Sequence, residues 1–211
     1  LLAALPSLIF FFFIPFTWNN TDTVCYFWLG LKYAVPQYPP LYNTLCKVVM
    51  LLFKGGPATV YIIIALQHLT YIAGLLYVAF ILPNLFARAV FLLVISFNWN
   101  ALLLINGLFP EGLYAGLQLF LWGSFFRFLL FRKHRFWSAF ILASSLVFIT
   151  LTKHIGQLYY ALPLIAAVIL LLSGKFNLRR STTLLGIKML LMGVVSFVLL
   201  IAIQSSVLAL L

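Results

Sequence analysis

Apolar runs of spanning length recur along this 211-residue chain, separated by short polar breaks. A helix that crosses the hydrocarbon core of a bilayer needs about 20 mainly apolar residues. Seven stretches meet or approach that pattern: 1–17, 58–82, 85–109, 112–131, 136–152, 157–173 and 182–208. The breaks fall at Pro83-Asn84, at Pro110, and at 132–135, 153–156 and 174–180. Connections this short make consecutive helices antiparallel neighbours. The pattern predicts an all-α polytopic membrane protein of about seven spans, a single transmembrane domain over 1–211. The first run has no basic n-region and no small-residue cleavage site, so it does not read as a signal peptide. Neither end carries a polar tail and the first residue is not Met, so a longer parent chain is expected.

One stretch breaks the rhythm. Residues 18–57 are too polar to span and carry Trp18, Tyr26, Trp28, Tyr33, Tyr38 and Tyr42 together with Pro36, Pro39 and Pro40. Such aromatics favour the headgroup level. Residues 23–33 and 47–53 suit two short in-plane helices, 36–42 is expected to be extended or turned, and Gly55-Gly56-Pro57 ends the loop.

Composition agrees with the pattern: 65% of residues are hydrophobic and 7% charged. The net charge of +11 comes from thirteen Lys and Arg against two acids. The basic residues are placed for topology and form no soluble basic face, which argues against nucleic-acid binding. Arg88, Arg127, Arg132, Lys133, Arg135, Lys175, Arg179, Arg180 and Lys188 fall on one side, which the positive-inside rule makes cytoplasmic. The N-terminus is then cytoplasmic, in what we expect to be a bacterial plasma membrane. Asp22, Lys32, Lys47, Lys54, Glu111, Lys153 and His154 fall on the opposite, outer side. Cys25 and Cys46 both lie in the first outer loop, where either a disulfide or two buried thiols are open readings.

In so apolar a chain the two acids, Asp22 and Glu111, draw the first functional reading. Asp22 stands where the first span emerges. It reads as a general base or acceptor-orienting acid, or as the N-cap of a helix over 23–33. Glu111 follows Pro110 at a helix start, where the dipole favours an acid, and Tyr114 and Gln118 share its face at i+3 and i+7. That stripe lines a cavity or marks an interfacial acid. Lys153 and His154 precede Gln157 and Tyr160, with Lys153, Gln157 and Tyr160 expected on one stripe. They read as a phosphate contact, or as a snorkelling cation beside a turn. Gln67, His68, Asn98 and Asn100 lie within spans and read first as interhelical hydrogen-bonding groups, and only second as a polar path. Gly112 and Gly116 have small-xxx-small spacing, read as packing. No metal-ligand spacing, nucleotide-binding glycine loop or nucleophile-elbow serine occurs in the sequence.

Three segments together carry a resemblance. Asp22-Thr23-Val24-Cys25-Tyr26 leads an aromatic loop ending in Tyr38-Pro39-Pro40-Leu41-Tyr42. Pro110-Glu111-Gly112-Leu113-Tyr114 opens a span. Leu151-Thr152-Lys153-His154-Ile155-Gly156 turns into the next. Over residues 5–173 the chain resembles the C-type polytopic glycosyltransferases that use polyprenyl- or dolichyl-phosphate sugars, among them protein mannosyltransferases and aminoarabinose transferases.

The resemblance implies transfer of a sugar from a membrane-borne carrier to an acceptor on the outer face. Asp22 would be the catalytic acid, and Glu111, Tyr114, Gln118, Lys153, His154 and Gln157 would bind the donor. The implied partners are the lipid-linked sugar, membrane lipids and other membrane subunits. No cofactor is implied, with a divalent metal entering only for a pyrophosphate donor. Two departures stand out: Asp22 is flanked by Thr21 and Thr23 where many members pair two acids, and the spans are fewer than is typical. A non-catalytic structural or assembly subunit of a larger membrane complex is the alternative expectation.

Overall fold

The computed structural model describes residues 4–16, 40–108, 110–131, 135–177 and 180–210, with the side chains of 135, 154, 173–183, 204 and 206–210 outside that description. The described chain is helical and contains no strand. Its elements are α1 (Leu5–Phe13), α2 (Pro40–Phe53), α3 (Pro57–Ile81), α4 (Leu85–Ser96), α5 (Trp99–Ile105), α6 (Pro110–Leu130) and α7 (Arg135–Thr152). A 3-10 helix (His154–Tyr160), α8 (Ala161–Asn177) and α9 (Arg180–Leu210) follow.

Among the described residues four helical segments are long and apolar enough to cross a membrane: Pro57–Ile81, Pro110–Leu130, Ile155–Leu172 and Leu184–Ile203. The pair α4 and α5, bent by 60°, makes a fifth if it is one span. Large apolar side chains such as Leu85, Phe86 and Phe80 are about four-fifths exposed, as lipid-facing positions require. The chain is an integral membrane protein by this criterion.

Local chemistry explains where the elements depart from the sequence pattern. The first apolar run gives a helix of only 9 residues, because Ile14 precedes Pro15 and is driven to extended backbone at φ −101°, ψ 128°. The run 85–109 breaks because Asn98 accepts the N–H of Ala101 at 3.2 Å and starts a new helix. Residues 40–42, expected to be extended, are instead the first turn of α2. Pro40 opens that helix, where its missing N–H has no intrahelical partner to lose. Lys54 (φ 56°) and Gly55 (φ 68°) then close α2, with the Gly55 N–H on the Met50 carbonyl at 3.1 Å. Pro57 opens α3 at once.

The centre of the bundle is a close, parallel pairing of α3 and α6. A Cβ on Gly112 would meet Gln67 at 2.8 Å, one on Gly116 would meet Thr70 at 2.8 Å, and one on Gly123 would meet Tyr77 at 2.9 Å. Gly74 answers from α3, where a Cβ would fall 2.9 Å from the Gly116 carbonyl oxygen. Backbones meet at this seam because no side chains stand between them. The register has a consequence for depth. Gly112 lies level with Gln67, ten residues into α3, and α6 begins two residues before Gly112, so its start lies about 12 Å below the first residue of α3. Glu111 is therefore recessed from the end of the bundle and does not stand at the rim, as the sequence had suggested. α2 packs on both α3 and α7 beside this step. Its Tyr42, Cys46 and Val49 are buried with Ile63, Ile64, Leu108 and Leu113.

Candidate functional site

The recessed start of α6 meets the turn after α7. Lys153 ends α7 through its N–H on the Ile149 carbonyl at 2.9 Å, and its own carbonyl receives the Gly156 N–H at 2.9 Å. This places its ammonium on the Glu111 carboxylate, and the two form an ion pair through Oε1. The pair is partly open, with side-chain exposures of 37% for Lys153 and 27% for Glu111. Below it on α6, Gln118 donates from Nε2 to the Tyr159 hydroxyl. The rings of Tyr114 and Trp122 each lie 6.3 Å from that of Tyr159. The arrangement is a cation–carboxylate pair at the head of a half-buried row of aromatic and amide groups.

Tyr159, missed by the sequence reading, takes the place expected of Tyr160. An α-helical period from Lys153 selects residues 157 and 160. The 3-10 helix has three residues per turn, so Lys153, Gly156 and Tyr159 share a face instead. Tyr160 turns inward, its hydroxyl donating to the Ser196 carbonyl at 3.2 Å, and Gln157 is exposed. Gly156 enables the tight turn, since a Cβ there would fall 2.7 Å from the Ile149 backbone. Of the other expected site residues, Asp22 lies outside the described residues and His154 is described for its backbone alone.

Gln67 and His68 of α3 are buried away from this pair and bond to other segments of the chain. Gln67 donates from Nε2 to the carbonyls of Ile105 at 3.0 Å and Gly107 at 2.8 Å. This satisfies a non-helical turn held at membrane depth, where water is not at hand. His68 shares a 2.6 Å bond between Nδ1 and the Ser7 hydroxyl, and its Nε2 donates to Asn106 Oδ1 at 3.2 Å. Ser7, Gln67, His68 and Asn106 are all at most 4% exposed. Asn98 caps α5, and Asn100 is exposed beside it. Ser7 and Asn106 had no sequence signal, because the partners lie in distant segments.

Cys46 is a free, buried thiol in α2, and Cys25 lies outside the described residues. Burial pushes the Cys46 thiol up to about 12, partly offset by a hydrogen bond to Tyr42. Among the described residues no three His, Cys, Asp or Glu side chains converge on a metal-sized site. Comparisons with family models, curated proteins and solved structures return no match for this chain. The functional reading therefore rests on the residues themselves.

Proposed function

We propose that the chain is a membrane glycosyltransferase that moves a sugar from a polyprenyl-phosphate carrier to an acceptor on the outer face. In this reading the chain crosses a bacterial plasma membrane about seven times with its N-terminus cytoplasmic. The parallel run of α3 and α6 supports that topology, because one crossing between them returns the chain to the same face. The observation that carries the functional reading is the Lys153–Glu111 pair, recessed and partly open above Tyr114, Gln118 and Tyr159. A cation held at the head of an amphipathic aromatic row, among lipid-facing helices, suits a phosphate whose tail stays in the bilayer.

Each residue then has a role. Asp22 takes the proton from the acceptor hydroxyl as its oxygen forms a bond to the anomeric carbon. The bond from that carbon to the phosphate oxygen breaks, and the electron pair leaves with the phosphate. Lys153, assisted by His154, stabilises that charge, with Glu111 holding the ammonium in position. Tyr114, Gln118 and Tyr159 offer hydroxyl and amide groups to the sugar, and the exposed Gln157 extends the polar rim. The test is Asp22→Asn in the full-length protein, scored for transfer of a labelled lipid-linked sugar. The reading requires that transfer be lost; wild-type transfer rejects Asp22 as the base.

One observation favours the alternative, a non-catalytic structural subunit. Lys153 already spends a donor on Glu111, as a purely interhelical ion pair would. The stability and the transfer activity of Lys153→Met separate the two.

A further inference from the structure

We propose that Arg127 and Tyr77 form a binding site for the phosphate of an anionic phospholipid, at the far end of the α3–α6 seam. The site lies 16 residues along α6 from Glu111 (127 − 111), about 24 Å at 1.5 Å per residue, and it stands without the transferase reading.

Phe120, Gly123 and Arg127 stand at i, i+3 and i+7 on one face of α6, and Tyr77 of α3 is laid against all three. Its ring stacks on Phe120 with centroids 5.5 Å apart. It passes Gly123 where a Cβ would fall 2.9 Å from Tyr77 Cδ1, so only a glycine leaves room for it. The Arg127 guanidinium carbon then lies over the same ring, 5.9 Å from its centre. The Tyr77 hydroxyl oxygen is out of contact with solvent and has no hydrogen-bond partner. An orphaned hydroxyl of that kind is costly until a bound group completes it. One phosphate answers both groups. It offers oxygens to the guanidinium fork and an acceptor to the hydroxyl, once the Arg127 side chain swings aside to admit it.

The charge balance points to a ligand from outside the chain. Among the described residues the only acid is Glu111, and it is spent on Lys153 at the other end of α6. Arg88 on α4 gives its Nε to the Leu82 carbonyl at 2.9 Å, so that cation has an acceptor within the fold. Arg127 is partly buried and has no carboxylate to meet. Phe80 and Leu130 lie one turn beyond Tyr77 and Arg127, and both are largely exposed. The guanidinium therefore stands within the apolar belt and short of its edge, where a charge is costly without a counter-ion. A guanidinium takes two phosphate oxygens at once. A phospholipid brings such a phosphate to the end of a span while its chains stay against the apolar side chains. An anionic headgroup carries no cation of its own to compete with Arg127, which favours phosphatidylglycerol over phosphatidylcholine.

The experiment titrates full-length protein in mild detergent with phosphatidylglycerol and reads thermal unfolding, since a ligand of the folded state raises the midpoint. Phosphatidylcholine and inorganic phosphate are the comparison ligands. Wild-type protein is expected to gain several degrees with phosphatidylglycerol, at concentrations well below those required of phosphatidylcholine. Equal potency of the two lipids, or a matching shift from inorganic phosphate alone, would overturn the assignment to an anionic lipid. Arg127→Gln is expected to raise the half-saturating concentration of phosphatidylglycerol about tenfold or more, and Tyr77→Phe, which keeps the ring, about fivefold. Arg88→Gln removes one charge from the same end of the bundle and is expected to leave that concentration unchanged. Each variant is compared with itself without lipid. A purely structural role for Arg127 and Tyr77 would lower both midpoints and leave the half-saturating concentration where it was, and that result overturns the proposal. An equal effect of Arg88→Gln would mean diffuse attraction to basic charge, and overturns it too. Should Arg127→Gln fail to fold, Tyr77→Phe decides alone.

Discussion

Lys153 and Glu111 are bonded across 42 positions of sequence, the cation at the head of a 3-10 helix and the acid in the first turn of α6. Both are partly exposed, and an ion pair of that kind contributes about 0–1 kcal/mol to folding. Lys153→Met is therefore expected to change thermal stability in detergent little. If the ammonium stabilises a leaving phosphate, the same variant should lower transfer about a hundredfold or more. A large fall in stability with unchanged transfer would instead identify the pair as structural and favour the assembly-subunit reading.

The neighbouring tyrosines should separate in a similar way. Tyr159 faces Gln118 and the groove, whereas Tyr160 donates to the Ser196 carbonyl inside the bundle. Tyr160→Phe should cost about 1 kcal/mol of stability, the usual net worth of one such bond, and leave substrate KM unchanged. Tyr159→Phe should raise KM for the lipid-linked donor with a smaller effect on stability. The pair of melting curves and saturation curves decides it, and the reverse pattern would put Tyr160 in the site.

The helical class was legible because apolar runs of spanning length are a composition signal that survives any packing. Depth was not. Nothing in the sequence says that Gly112 sits against Gln67, and that register alone recesses Glu111 from the rim. The pairing of Glu111 with Lys153 was within reach, since topology put both on one side. Tyr159, the partner of Gln118, was not, because a three-residue period replaced the α-helical one over only seven residues. The bonds of Asn106 were invisible for a third reason: they run to residues 14, 15 and 68, which only the folded chain brings to it.

The seam that sets this register can be tested with one methyl group. A Cβ on Gly116 would lie 2.8 Å from Thr70 Cγ2 and 2.9 Å from the Tyr71 backbone nitrogen. Gly116→Ala must push α3 and α6 apart, a strain of about 1–3 kcal/mol by the usual scale of overpacking. Gly193→Ala is the control, since its nearest neighbour would be an ordinary 3.4 Å from Pro163 Cγ. Thermal unfolding of the two variants should therefore differ by several degrees. Equal midpoints would mean that the seam is not close-packed.

The pH dependence of Cys46 reactivity reports how α2 is seated. The reactive species toward maleimides is the thiolate, and burial lifts the Cys46 thiol from its ordinary 9.0 to about 12. The sign follows directly: the neutral thiol is the form favoured in the fold, so raising pH from 7 to 10 should not switch on labelling. In a Cys25→Ser background, Cys46 should stay unlabelled across that range in mild detergent. It should react within minutes once the protein is unfolded in SDS. Because Tyr42, Ile63 and Leu113 pack in the same cluster as Cys46, labelling that rises tenfold per pH unit from pH 7 would show that α2 is not seated on α3.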